Sequence, residues 1–210
     1  MTFDEAVTAA AHAANEAVND AMTDYRAEQV TDEDDLTSYL LGNLRNAFRG
    51  KVGGLTWRSS VLRHRSGIAA EEKRVGADML FHVSLSTNTQ TYSKGVLIQA
   101  KRMEPGAYMT TKDHAELVDQ CERMLRYSPS SFVFDYAEGS MRCASATKIA
   151  GSLNRNLYDA CDWTSYRFFL ELFRCPIGDI KIQSPLVRKL RVPVALTIKG
   201  TGQLTVPGQS

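Results

Sequence analysis

A polar hairpin between two short apolar strands fixes much of what this chain can become. Residues 78–85 place Met79, Phe81, Val83 and Leu85 at a two-residue period, the pattern of a half-buried strand. Val96-Leu97-Ile98-Gln99-Ala100-Lys101 is apolar until its C-terminal end, and the run Ser86 to Ser93 between the two segments is turn material. Pro105-Gly106 then breaks the chain. Residues 112–126 set Leu117, Cys121, Met124 and Leu125 inward on a helix, and 131–136 form a strand centred on Phe-Val-Phe. Strands alternating with helices in this order predict an α/β or α+β domain, with a central mixed sheet covered by helices on both sides.

The flanks add helices. Residues 3–29 are Ala-rich and suit an amphipathic helix with Phe3, Val7, Ala10, Ala14, Val18 and Ala21 near one face. Thr31 or Asp32 can cap a second helix that carries three acids in its first turn, where the dipole favours negative charge. That helix runs through Leu36, Leu40 and Leu44 to Phe48, and Gly50 stops it. Leu55 to Leu62 reads as a strand, 145–160 and 163–173 as helices, and Val192 to Lys199 as a closing strand. The expected organisation is an acidic N-terminal helix (1–30), one domain (31–199) and a poorly ordered tail (200–210).

Composition supports one ordinary globular domain: 210 residues, 43% hydrophobic and 23% charged. No run of about 18 apolar residues suggests a transmembrane helix. Asp4 and Glu5 stand where a signal peptide carries positive charge. Cys121, Cys143, Cys161 and Cys175 form no CxxC pair and read as reduced thiols. The expected location is cytoplasmic, with no membrane partner.

The net charge of +1 hides an asymmetry. Residues 1–35 carry ten acids against Arg26 alone, a net charge of −9, which leaves +10 on the rest. Residues 45–65 hold Arg45, Arg49, Lys51, Arg58, Arg63 and Arg65 with no acid. Such a run can bind phosphate, each neutralised phosphate adding affinity by counterion release. A solvated helix end and loop explains it equally well.

The chemistry concentrates at Asp78, before one strand, and Gln99-x-Lys101, at the end of the next. A two-residue step along a strand puts Gln99 and Lys101 on one face. If the two strands are antiparallel neighbours, Asp78 lies beside both. An Asp oxygen, the Gln99 amide oxygen and the Ala100 backbone carbonyl suit a hard cation such as Mg²⁺, which prefers oxygen ligands. The cation would polarise a phosphodiester and lower the pKa of a bound water, and Lys101 would orient that water or neutralise charge. Taken singly, Asp at a strand start and Lys at a strand end are commoner as solvated termini.

The whole arrangement, Glu72 to Asp78 followed by Val96 to Arg102, resembles the PD-(D/E)xK nuclease superfamily in the variant where Gln replaces the second acid, as in restriction-endonuclease-like and Mrr-like proteins. The resemblance covers residues 31–137. It implies a restriction-endonuclease-like core with additional N- and C-terminal helices. It also implies Asp78 and Gln99 as metal ligands, Lys101 as the catalytic lysine, and an acid on the preceding helix, for which Glu33 is the candidate with Asp34, Asp35 and Glu72 as competitors. Mg²⁺ is the expected cofactor, with Mn²⁺ as an alternative. The neutral Gln99 binds a cation less strongly than a carboxylate would.

Other features are weaker. Gln120 follows the lysine on the next helix and is either near the site or solvated. His12, His64, His82 and His114 show no zinc spacing, and no G-x-S-x-G or P-loop motif occurs. The expected function is a metal-dependent endonuclease hydrolysing DNA, RNA being open, acting as a homodimer, with a role in restriction or phage defence implied by the resemblance alone. The alternative is a catalytically inactive nucleic-acid-binding module, or an interaction module with a protein partner, on the same fold.

Overall fold

The computed structural model describes residues 1–27, 33–63, 74–137, 139–190 and 192–206, with backbone alone at Glu33 and Asp34. Its elements are α1 (Phe3–Arg26), α2 (Glu33–Ala47), β1 (Gly50–Val52), β2 (Leu55–Arg63), β3 (Met79–Thr87), β4 (Thr91–Lys101), α3 (Thr111–Tyr127), β5 (Ser131–Ala137), β6 (Ser140–Ser145), α4 (Ala146–Ala150), α5 (Leu157–Ala160), β7 (Trp163–Thr164), α6 (Ser165–Arg174), α7 (Ser184–Val187) and β8 (Val194–Gly202). The strands form one mixed eight-stranded sheet in the order β1-β2-β8-β3-β4-β5-β6-β7. The α/β reading holds: helices flank a mixed sheet on both faces.

Strand periodicity divides the core in two. Met79, Phe81, Ile98, Ala100, Phe134 and Leu196 face α1, α2 and α6. Leu80, Leu97, Val133, Ala144 and Ala195 face the other way, towards α3, α4, α5 and α7. On the first face, α1 starts with a capping box between Thr2 and Glu5 and buries the small stripe Ala6, Ala10, Ala14, Ala17 and Ala21. The stripe lets α6 approach closely. There Phe168, Phe169 and Phe173 pack edge-on or stacked against Phe81, Phe134 and Trp57, each ring contributing roughly 1.5–3 kcal/mol of burial.

Several boundaries differ from expectation. The hairpin turn is confined to Asn88–Gln90, where Thr87 N–H donates to Gln90 O at 2.9 Å, so β4 begins at Thr91. Residues 145–160 are two short helices, because Gly151 ends α4 and Asn156 caps α5 anew. β6 carries no β-branched residue to announce it.

The chain from Gly200 was expected to be poorly ordered. Instead β8 runs to Gly202, between β2 and parallel to β3, and Leu204 is buried. Gly200 serves packing there: a Cβ would lie 2.7 Å from Trp57 and 2.8 Å from Leu85. Residues 207–210 lie outside the described residues. No described helix is long and apolar enough to cross a membrane.

Candidate active site

β3 and β4 are antiparallel neighbours, with Met79 opposite Ile98. The ladder extends one residue further, since Asp78 N–H donates to Ile98 O at 3.0 Å. Asp78 therefore faces Gln99, the arrangement expected if the two strands were antiparallel neighbours. Asp78 Oδ2 accepts from Gln99 Nε2 at 2.5 Å and from the Ala100 N–H at 2.7 Å. Gln99 Nε2 also donates to Ala100 O at 3.1 Å. The amide nitrogen is thus committed to two oxygens, while Oε1 is buried with no partner among the described residues.

Lys101 lies two residues on along the same face, half-buried. Its register partner on parallel β5 is Asp135, and the Asp135 partner on β6 is Arg142. Asp135 is fully buried. Oδ1 accepts from Met103 N–H at 3.2 Å, and Oδ2 has no partner among the described residues. Burial raises its pKa to about 7, against the lowering effects of the Met103 N–H and Arg142. Arg142 itself donates from Nε to Cys161 O at 2.7 Å and lies 4.3 Å over the Tyr158 ring.

The helix α3 closes this face from above. Thr110 caps it through Asp113 N–H, and it buries Leu117, Gln120, Cys121 and Met124. Gly76 (φ 78) passes directly beneath, where a Cβ would stand 2.4 Å from Gln120 O. Gln120 Oε1 is buried without a partner among the described residues. Burial lifts the Cys121 thiol to about 12, although the Lys101 charge nearby pulls the other way. Gln99, Gln120 and Asp135 therefore bring three buried, unsatisfied oxygens to the α3 side of the sheet around Lys101. Unsatisfied buried acceptors cost about 1–3 kcal/mol each, so this cluster favours the arrival of something that carries protons or positive charge.

The remaining expectations fare unevenly. The helix α2 packs on the opposite face of the sheet, through Leu36, Leu40 and Leu44. Its N-terminal end does lie at the same end of the sheet as the site, since Thr37 Oγ1 is 3.2 Å from Tyr136 Oη on β5. The side chains of Glu33 and Asp34 lie outside the described residues, as do Glu72, His64 and Arg65; Asp35 is exposed. Arg45, Arg49, Lys51, Arg58 and Arg63 are all exposed. They do not form one patch beside the site. Arg63 is in register, through Val194, with Met79, whereas Arg58 is in register, through Lys199, with Ser84, roughly 20 Å along the strands from Asp78.

Among the described residues no group of three or more His, Cys, Asp and Glu side chains could hold a metal ion. The oxygens that converge here are the Asp78 carboxylate, the Ala100 carbonyl and the orphaned Gln99 Oε1. They suit a hard cation once the Gln99 amide turns by half a revolution, bringing Oε1 to the side where Nε2 now sits. Asp135 and Arg142 carried no motif. The one signal for Asp135 was a single acid inside the otherwise apolar strand Phe-Val-Phe-Asp-Tyr. Comparison of the chain with family models, with curated proteins and with solved structures gives no match.

Proposed function

We propose that the protein is a metal-dependent nuclease of restriction-endonuclease-like architecture that hydrolyses DNA phosphodiester bonds. The observation that carries this reading is the pairing of Asp78 with Gln99 across the β3–β4 register, with Lys101 two residues on along the same face. Asp78, Gln99 Oε1 and the Ala100 carbonyl would hold Mg²⁺ or Mn²⁺, with Glu33 as the candidate fourth contributor. Such a cation supplies charge neutralisation and an acidified water. Lys101 Nζ neutralises charge that builds on the phosphate oxygens and orients the attacking water. Burial of Gln99 under α3 keeps the ligand end of the site out of bulk solvent, where fixed charges act more strongly. Cutting both strands of a duplex needs two such sites, and a twofold dimer is the simplest way to supply them.

A second reading is a DNA-binding module on the same fold without catalysis. It is favoured by the Gln99 NH₂ turned towards Asp78, where a metal site would present an oxygen. Incubating plasmid and linear DNA with the protein in Mg²⁺, Mn²⁺ or EDTA, alongside Lys101→Ala, separates the two. Metal-dependent nicking that Lys101→Ala reduces on the order of 10²-fold or more supports the nuclease. Cleavage by neither protein under any condition leaves the binding module. Cleavage of RNA but not DNA changes the substrate and keeps the site.

A further inference from the structure

The strands β1, β2, β3, β4 and β8 contain no Asp or Glu at all. Their register arranges what they do contain. On the face that α3 and α7 occupy further along the sheet, Lys51 pairs with Thr56, Thr56 with Thr201, and Thr201 with Ser86. One row on, Arg58 pairs with Lys199, and Lys199 with Ser84. All of these residues are exposed except Ser84, which is half-exposed. The opposite sides of the same strands are core: Leu55, Trp57, Leu85 and Ile198 are buried under α1, α2 and α6.

Two cations directly opposite each other across a β pair repel, a placement that costs stability. Neither Arg58 nor Lys199 has a carboxylate partner among the described residues. Protection of a sheet edge does not account for them, because β1 is the edge and β2 and β8 are each paired on both sides. The two rows present only ammonium, guanidinium and hydroxyl groups, the set that contacts phosphate oxygens in nucleic-acid complexes. They offer no apolar side chain to insert into a bilayer.

We propose that this open face of β1, β2, β8 and β3, centred on Arg58 and Lys199, binds the phosphate backbone of duplex DNA. It divides the basic run 45–65: Lys51 and Arg58 belong to the surface. Arg45 does not, since its carbonyl accepts from Ser59 Oγ on the α2 side of the sheet, and Arg63 shares the side of buried Val194. Residues 179–190 and Val192 lie between this surface and Asp78. Asp179 pairs with Gly95, Ile182, Leu190 and Val192 pack with Leu80 and Ala195, and Lys181, Arg188 and Lys189 remain exposed. The roughly 20 Å from the Arg58 row to the Asp78 row corresponds to about six base pairs of a duplex. As a track that delivers substrate to Lys101, the surface rests on the nuclease reading; as a DNA-binding surface it does not.

The test is equilibrium binding of a fluorescent DNA duplex to the full chain in EDTA, over a salt series, so that no cleavage intervenes. Arg58→Gln with Lys199→Gln should weaken binding at every salt concentration and flatten the log Kd against log salt slope by about two. Arg45→Gln with Arg63→Gln should change that slope by well under one. Both pairs are exposed, and unchanged circular dichroism and melting midpoints confirm that each variant is folded. The proposal fails if the Arg58/Lys199 pair binds like the wild type, or if the Arg45/Arg63 pair loses as much. It also fails if the wild type binds anionic phospholipid vesicles and not DNA. Lys101→Ala binding like the wild type, together with absence of cleavage in Mg²⁺ and Mn²⁺, would defeat the nuclease reading alone.

Discussion

Gln99 holds Asp78 through its amide nitrogen, not its oxygen. Nε2 lies 2.5 Å from Asp78 Oδ2 and 3.1 Å from the Ala100 carbonyl, and Oε1 is left buried without a partner among the described residues. The NH₂ group thus lies between two oxygens and contributes two donors where a cation would contribute charge. A neutral residue at this position lets the site stay folded without metal.

Replacing that residue by an acid removes the compensation. Gln99→Glu sets a second carboxylate against Asp78 and deletes both donors. It should cost about 2–4 kcal/mol of stability in EDTA, the loss of a charge-assisted hydrogen bond plus like-charge repulsion. The loss should grow as pH rises through the ionisation of the pair, because the folded state resists the second charge. Excess Mg²⁺ or Mn²⁺ should return much of it, raising the melting midpoint of the variant more than that of the wild type. Thermal unfolding with and without metal reads both effects. A variant as stable as the wild type in EDTA, with no larger response to metal, would show that the two side chains do not form a cation site.

Two buried groups set opposing pH dependences. Burial raises Asp135 to about 7, so its folded pKa exceeds the unfolded value near 3.8 and stability falls as pH rises between them. Burial, aided by the Lys199 charge, lowers His82 from 6.5 to about 4, so stability falls as pH drops through that window. Between about pH 4 and 6.5 the two slopes oppose each other, and the wild type should show a shallow profile there. Asp135→Asn should unmask acid lability from His82. His82→Gln should leave a protein whose stability climbs steadily on acidification to about pH 4. Each slope is on the order of 1 kcal/mol per pH unit. Urea midpoints measured from pH 4 to 8 check this, and parallel profiles for both variants would refute the assignment.

The Asp78–Gln99 pairing could be read in advance because it is local. A hairpin fixes antiparallel register, and register fixes which side chains meet. The mixed sheet and the inward residues of α1 and α3 were readable for a similar reason, since one periodic segment carries its own evidence. What could not be read depends on partners distant in the chain. β8 inserts between β2 and β3, so the Arg58–Lys199 pair is made by strands from opposite ends of the protein. Asp135 is an unusual acid in its strand, yet its burial depends on helices and a loop supplied by other parts of the chain. Gly200 looked like flexible tail and is in fact squeezed between Trp57 and Leu85.

Gly76 connects the motif strand to the helix above it, and a single methyl should report on both. Its φ of 78 is in the left-handed region, and a Cβ there would meet the Gln120 carbonyl at 2.4 Å and Arg123 Cβ at 3.1 Å. The nearer atom is helix backbone, which cannot step aside as a side-chain tip could. Gly76→Ala should therefore cost about 2–4 kcal/mol, from backbone strain plus overpacking. Moving α3 outward should also widen the space around Gln120 and Lys101. Cys121 sits on the same helix turn and is fully buried, so its reaction with a thiol reagent should become faster in the variant under native conditions. A chemical-denaturation curve gives the first quantity and the rate of Cys121 labelling, mapped by peptide mass, gives the second. A melting midpoint within a degree of the wild type, with Cys121 equally protected, would mean that α3 gives way to a methyl at Gly76 without loss of packing.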